Sequence, residues 1–222
     1  NHWRFERGNG QLVRIVESGI DGLQGRFLEI DSRHGRIDRM QLHDPATGLN
    51  YPLVSYRYQD GDLIAALDAL DAARTFEYRQ HRMVRHTDRV GLSFHYAYDA
   101  QWRVVRAWGD GGLHDYKFRY DDLLHETEIT DSLGCVSIVK FDENGLPLCE
   151  IDPLNGVTVF EYDEVGRTTA VVDPMGLRME FAYDERGNLL KLTRADGSVL
   201  TTQYDPDDRP VVIVDPLQAG WR

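Results

Sequence analysis

From Phe160 to Asp184 the chain reads FEYDEVGRTTAVVDPMGLRMEFAYD, opening and closing on the phrase aromatic-x-Tyr-Asp, with Asp-Pro-x-Gly between. That is one full period of a repeat, and a repeat constrains a fold more tightly than local propensity does. With the aromatic residue as register mark, anchors fall at Tyr58, Tyr78, Tyr98, Tyr120, Phe141, Tyr162, Tyr183 and Tyr204, spaced 20, 20, 22, 21, 21, 21 and 21 residues apart. Ten residues before the anchors stand Asp68, Asp88, Asp110, Asp131, Asp152 and Asp173, with Arg194 replacing Asp in the last unit. Seven before, a turn-tolerant residue recurs at Asp71, Gly91, Gly134, Asn155, Gly176 and Gly197, while the Tyr120 unit has Gly111 and Gly112 earlier.

Each unit reads as strand, turn, strand, turn. Leu177, Met179, Phe181 and Tyr183 alternate with Arg178, Glu180 and Ala182, and Leu92, Phe94, Tyr96 and Tyr98 alternate in the same way with Ser93, His95 and Ala97. Period two with aromatic enrichment marks a half-buried strand. In Asp-Pro-x-Gly, Asp accepts from nearby backbone N–H groups, Pro presets φ and Gly tolerates positive φ. A second turn follows each anchor, as in Tyr183-Asp-Glu-Arg-Gly187-Asn188. The expectation is an all-β chain, a long antiparallel meander.

Length alone allows one or two domains in 222 residues. The repeat suggests one continuous sheet, with residues 1–55 forming degenerate repeats with longer loops and residues 56–222 forming regular repeats of about 21 residues. A composition of 41% apolar and 28% charged residues is that of a globular chain. No apolar run is long enough to span a bilayer, and no signal-peptide pattern opens the sequence. Cys135 and Cys149 read as unpaired strand residues of a reducing compartment. A net charge of −12 lacks the basic footprint of a nucleic-acid binder and disfavours anionic polysaccharides and acidic membrane surfaces.

Along the chain, Trp3-Arg-Phe5-Glu6 and Ile30-Asp31 open degenerate units at looser spacing, the extra length being assigned to loops at Gly19–Gly25 and Asp44–Pro52. The stretch Leu63–Arg74, LIAALDALDAAR, has helical composition. Register instead predicts strands over Leu63–Leu67 and Thr75–Tyr78 with Asp68 and Asp71 at the turn. Trp108-Gly-Asp-Gly-Gly112 reads as a glycine-rich turn, because a phosphate loop would need a following Lys-Ser/Thr and a strand–loop–helix context. At the other end Asp215-Pro216 occupies a turn position, so the next anchor falls beyond Arg222 and a fragment of a longer repeat protein is expected.

Aromatic-x-Tyr-Asp-x-x-x-Gly-Arg with Asp-Pro-x-Gly resembles the YD repeat of Rhs proteins. Phe76-Glu-Tyr78, Arg82-Met-Val-Arg-His-Thr-Asp88, Gly91-Leu-Ser-Phe94 and Trp108-Gly-Asp-Gly-Gly-Leu113 are similar to the core of bacterial Rhs elements. The resemblance implies a scaffold: a spiralling β-sheet shell, or cocoon, that holds a variable C-terminal toxin until delivery in interbacterial competition. It implies as partners the remainder of that shell, its encapsulated toxin, a PAAR/VgrG spike of the type VI secretion system and a chaperone. It also implies a cytoplasmic stage in the producing cell followed by secretion toward a target cell. Related shells occur in insecticidal toxin complexes and in teneurins, so an adhesion or glycan-binding module is the alternative function.

No chemistry stands out from the repeat. A carboxylate pair for acid–base work needs one special place, whereas the aspartates recur in every unit and read as turn residues. His81, His86, His95, His114 and His125 show no metal-ligand spacing, and Ser137, Ser198 and Thr201 lie outside any Gly-x-Ser-x-Gly elbow. The expectation is therefore a non-catalytic chain with no catalytic, cofactor-binding or metal residues and no cofactor. Rhs cores are commonly closed by Pro-x-x-x-x-Asp-Pro-x-Gly-Leu, associated with aspartyl self-cleavage. Pro210-Val-Val-Ile-Val-Asp215-Pro216-Leu matches its first part, but Gln218-Ala219 follows where Gly-Leu would stand, so Asp215 reads as an ordinary turn aspartate.

Overall fold

A computed structural model describes residues 2–18, 24–215 and 220–221. The chain divides into two compact units, Asn1–Asp115 and Tyr116–Arg222. In the first, the strands are β1 His2–Gly8, β2 Gln11–Ser18, β3 Gln24–Arg33, β4 Arg36–Asp44, β5 Leu49–Gln59, β6 Asp62–Asp68, β7 Ala73–Arg79, β8 Arg82–Thr87, β9 Ser93–Tyr98 and β10 Val104–Gly109, followed by a 3-10 turn at Asp110–Gly112. In the second they are β11 Tyr116–Asp121, β12 Glu126–Thr130, β13 Val136–Phe141, β14 Pro147–Ile151, β15 Val157–Tyr162, β16 Thr168–Val172, β17 Arg178–Tyr183, β18 Leu189–Thr193, β19 Val199–Tyr204, β20 Pro210–Val214 and β21 Gly220–Trp221. Within each unit every strand pairs antiparallel with the next in sequence. The meander expected from the repeat is what the chain forms. Among the described residues no helix is long and apolar enough to cross a membrane.

Register explains why the anchor recurs. At Tyr58, Tyr78, Tyr162, Tyr183 and Tyr204 the pairing slips by one residue as the strand reaches its aromatic anchor. Tyr183 faces Leu189 while Ala182 faces Lys191, which leaves Leu190 as the extra residue of a β-bulge. Bulges bend and twist a strand locally, so the anchor marks the same bend in unit after unit. Tyr120 is the exception, pairing with Thr127 in unbroken register.

The stretch Leu63–Arg74 resolves in favour of register: β6 and β7 flank a turn, and Leu67 is buried. Three local expectations need correction. The loop expected over Asp44–Pro52 occupies only residues 45–48, because β5 begins at Leu49. Pro52 is tolerated there beside a bulge, where Met40 faces Val54 and Gln41 faces Pro52. Of the loop expected at Gly19–Gly25, residues 19–23 lie outside the described residues, and Gln24 and Gly25 are already strand. Cys135 is a turn residue whose N–H donates to Asp131 Oδ1 at 2.8 Å, whereas Cys149 lies in β14, and both thiols are free.

Neither unit has a thick core. Val16, Phe27, Ile30, Ala65 and Leu67 are the buried apolar residues described in the first unit, and Ala170 in the second. In β15 the face carrying Thr158, Phe160 and Tyr162 is half-buried and the opposite face is exposed. On that exposed face Arg178 bridges Glu161 at 2.6 Å and Glu180 at 2.9 Å.

Candidate functional site

The recurring aspartates are engaged in turns. Asp163 Oδ1 accepts from the N–H of Val165 at 3.1 Å and of Arg167 at 2.9 Å, and Gly166 N–H donates to Asp163 O at 3.0 Å. The same pair of side-chain bonds, to the residues two and four ahead, recurs at Asp68, Asp88, Asp131, Asp142, Asp152, Asp173, Asp184 and Asp205. Each such turn reverses through a residue of positive φ three places on, for example Gly166 at 83° and Gly176 at 80°. The bonds favour ionised carboxylates. The Arg167 N–H above all holds Asp163 below the usual carboxylate range, the Leu146 N–H does so for Asp142, and the Asn188 side chain for Asp184. These carboxylates are committed to backbone, not to a reacting group.

One cluster brings serine, histidine and aspartate together. Asp110, in the glycine-rich turn after β10, accepts from Ser93 N–H at 2.9 Å and lies 3.0 Å from His95 Nε2. The imidazole, first in effect, and that N–H keep the Asp110 carboxyl below its ordinary range. Ser93 Oγ is fully buried and contacts Arg85 Nη2 and Thr87 Oγ1, each at 2.9 Å. His95 stacks on Trp108, with ring centroids 5.3 Å apart. A hydroxyl nucleophile needs its base within hydrogen-bond reach, and Ser93 Oγ is directed to Arg85 and Thr87 instead. The cluster therefore ties the turn to β8 and β9. Gly109 is required in it, since an added Cβ would lie 3.0 Å from Leu113 Cβ and 3.1 Å from Leu113 O.

A second site is concave and aromatic. A pocket of about 550 Å³ in the first unit is lined by Arg79, Val84, Tyr96, Tyr98, Asp99 and Trp102, among others. The β9–β10 turn places Trp102, with φ of 64°, where the turns after Tyr162 and Tyr183 have Gly166 and Gly187. Arg82 lies over the indole, 4.1 Å from its centroid, and the Tyr98 ring is 6.5 Å away. Tyr98 OH donates to Met83 O at 2.6 Å, and Tyr96 OH is 3.1 Å from His86 Nδ1. Burial, then the neighbouring Tyr98, pushes the Tyr96 phenol up. For Asp99 burial opposes ionisation, but the Arg103 N–H and guanidinium outweigh it and its pKa falls. Sequence reasoning passed over Trp102. The available signal was an aromatic residue standing at a glycine position of the register.

The remaining candidates stay dispersed. His81 Nδ1 contacts Asp62 at 3.0 Å, His86 stacks against Phe94, and His114 and His125 adopt positive φ in turns. Among the described residues no three of His, Cys, Asp and Glu converge to hold a metal ion. Ser137 lies in β13, Ser198 just before β19 and Thr201 within it. Asp215 follows β20, while Pro216, Gln218 and Ala219 lie outside the described residues.

Comparison with known proteins agrees with the repeat. A family model described as RHS Repeat matches residues 183–219. Toxin protein Tse5 of Pseudomonas aeruginosa is 37% identical over 132 residues, 57% of this chain and 10% of that protein. The alignment thus spans about a tenth of that relative's length. In fold, the chain is similar to the Photorhabdus luminescens Tc holotoxin pore, with a TM-score of 0.51 at 11% identity over 92% of this chain and 13% of that one. It is also similar to TcdB2–TccC3 without its hypervariable C-terminal region, with a TM-score of 0.50 at 12% identity over 93% of this chain and 15% of that one. Residues 183–219 thus match the RHS Repeat model, and the chain is similar in sequence to a bacterial toxin protein and in fold to Tc toxin chains.

Proposed function

We propose that this chain is a non-catalytic stretch of wall in an Rhs-type shell, which encloses a C-terminal toxin and helps deliver it in competition between bacteria. The observation that carries the reading is the build of the sheet. Each unit is a meander with few buried side chains, which suits a wall better than a domain that must bury its own core. The commitment of the repeated carboxylates to turns supports the non-catalytic part, and the toxin named in the comparison supports the cargo. On this reading the partners are further stretches of shell, the enclosed toxin, a PAAR/VgrG spike and a chaperone. The protein is made in the cytoplasm and then secreted toward a target cell. Asp215 acts as a turn residue.

The test is native purification of the full-length gene product, followed by limited proteolysis and mass mapping. The expected result is a resistant shell containing this segment that retains a smaller C-terminal polypeptide. Release of this segment alone, with nothing retained, would overturn the shell reading in favour of an adhesion or glycan-binding module.

A further inference from the structure

We infer that the pocket around Trp102 is a binding site for an aromatic ring that carries a carboxylate. The inference is independent of the shell reading. It begins with a residue that the turn itself does not call for. Gly145, Gly166 and Gly187 take the equivalent place at φ of 84°, 83° and 94°, the small polar Asp208 takes it at 61°, and the bulky Trp102 takes it at 64°. Glycine enters this region without steric cost, whereas a residue with a Cβ does not. Side chains held in such conformations concentrate at ligand-binding sites. Trp102 is 42% exposed and lines a concavity of about 550 Å³, within the range that accepts small ring-bearing ligands.

The chemistry of the lining selects the ligand. Arg82 covers one face of the indole at 4.1 Å, and Arg79 lines the pocket, so a cationic ligand is opposed. A sugar needs many hydrogen-bonding partners, but the polar groups nearby are spent. Tyr98 OH serves Met83 O, Tyr96 OH meets His86, and the Asp99 carboxylate is held by Arg103. What the pocket still offers is flat aromatic wall and one guanidinium. Arg79 is exposed and has no side-chain hydrogen bond or ion pair among the described residues. Aromatic walls favour stacked or edge-on rings, and a guanidinium favours a carboxylate. Two sources share that chemistry: a free aromatic acid, or a polypeptide with an aromatic side chain next to an acidic one.

The four tryptophans, Trp3, Trp102, Trp108 and Trp221, allow a direct test by indole N–H magnetic resonance on the full chain. N-acetyl-phenylalanine is expected to shift one indole signal, the one that Trp102→Gly removes. That variant keeps a folded turn, because glycine takes the matching position in the turns after Phe141, Tyr162 and Tyr183. Arg79→Gln, or N-acetyl-phenylalanine amide as ligand, is expected to weaken binding about tenfold through loss of the charge-assisted contact, with the other indole signals unmoved. A blocked Gly-Phe-Asp-Gly peptide that reproduces the shift identifies a polypeptide ligand, and response to the free acid alone identifies a small aromatic acid. No shift, a shift at another tryptophan, or equal affinity with Arg79→Gln and with the amide would overturn the inference.

Discussion

In the unit Asn1–Asp115 the strands reach 11 residues, and four hairpins reverse through only two. Those pairs, Asn9-Gly10, His34-Gly35, Asp60-Gly61 and Gln80-His81, all have positive φ at both positions, the hairpin geometry that follows the strand twist. In the unit Tyr116–Arg222 no strand exceeds six residues, and nearly every reversal is an aspartate-capped loop. Five of the six buried apolar residues described lie in the first unit. One repeat is thus held together in two ways. Long strands with tight turns bring side chains into contact, while short strands depend on the turns to fix their register.

The largest difference is expected from truncating buried side chains. Ile30→Ala in the first unit, where Ile30 is 4% exposed, should cost ~2–4 kcal/mol in denaturant unfolding. The equivalent truncation of half-exposed Phe181 should cost distinctly less, and equal losses would break the comparison. Next come the crowded glycines. A Cβ at Gly156 would lie 2.5 Å from Asp152 Oδ2 and 3.0 Å from Pro174, so Gly156→Ala should cost ~1–3 kcal/mol. Gly10, with nothing near its added Cβ, should show only the backbone cost of positive φ, about 1 kcal/mol.

A smaller effect should follow acid. A carboxylate whose folded pKa is lowered stabilises the fold above its unfolded value, and that contribution is lost as pH falls through the folded one. Carboxylates held low include Asp99 and Asp110 in the first unit, and Glu128, Asp142, Glu161, Asp163, Asp184, Asp196 and Asp208 in the second. Below the ordinary aspartate value of 3.8, therefore, amide protons of the second unit should lose protection from exchange before those of the first. Asp163→Ala alone should lower Tm by a few degrees, and Asp163→Asn by less, since an amide oxygen still accepts. The smallest change belongs to the surface ion pairs. Glu161→Gln, which weakens the Arg178 bridge, should leave Tm nearly unchanged.

How much of this was legible depended on whether a residue followed the register. Register overrode helical composition at Leu63–Arg74, because Ala65 and Leu67 pack on the sheet irrespective of intrinsic propensity. The turn role of the aspartates was legible because Asp and a glycine-like residue recur three apart. Pro52 was misleading, since a proline beside a bulge has the same local sequence as a proline in a loop. Cys135 was one residue outside its strand, a shift within the ordinary uncertainty of element ends. The Ser93–Asp110 bond joins residues of successive repeat units at the open end of the β9–β10 hairpin, and the Trp102 pocket joins residues of β7, β8 and β9, so no spacing rule within one unit could have assembled them.

The central claim is that these repeats form wall around something. Single-particle imaging of the full-length gene product tests it most directly. The account predicts a closed shell with this segment in its wall and density for a second polypeptide inside. An extended or open sheet with nothing enclosed would contradict it.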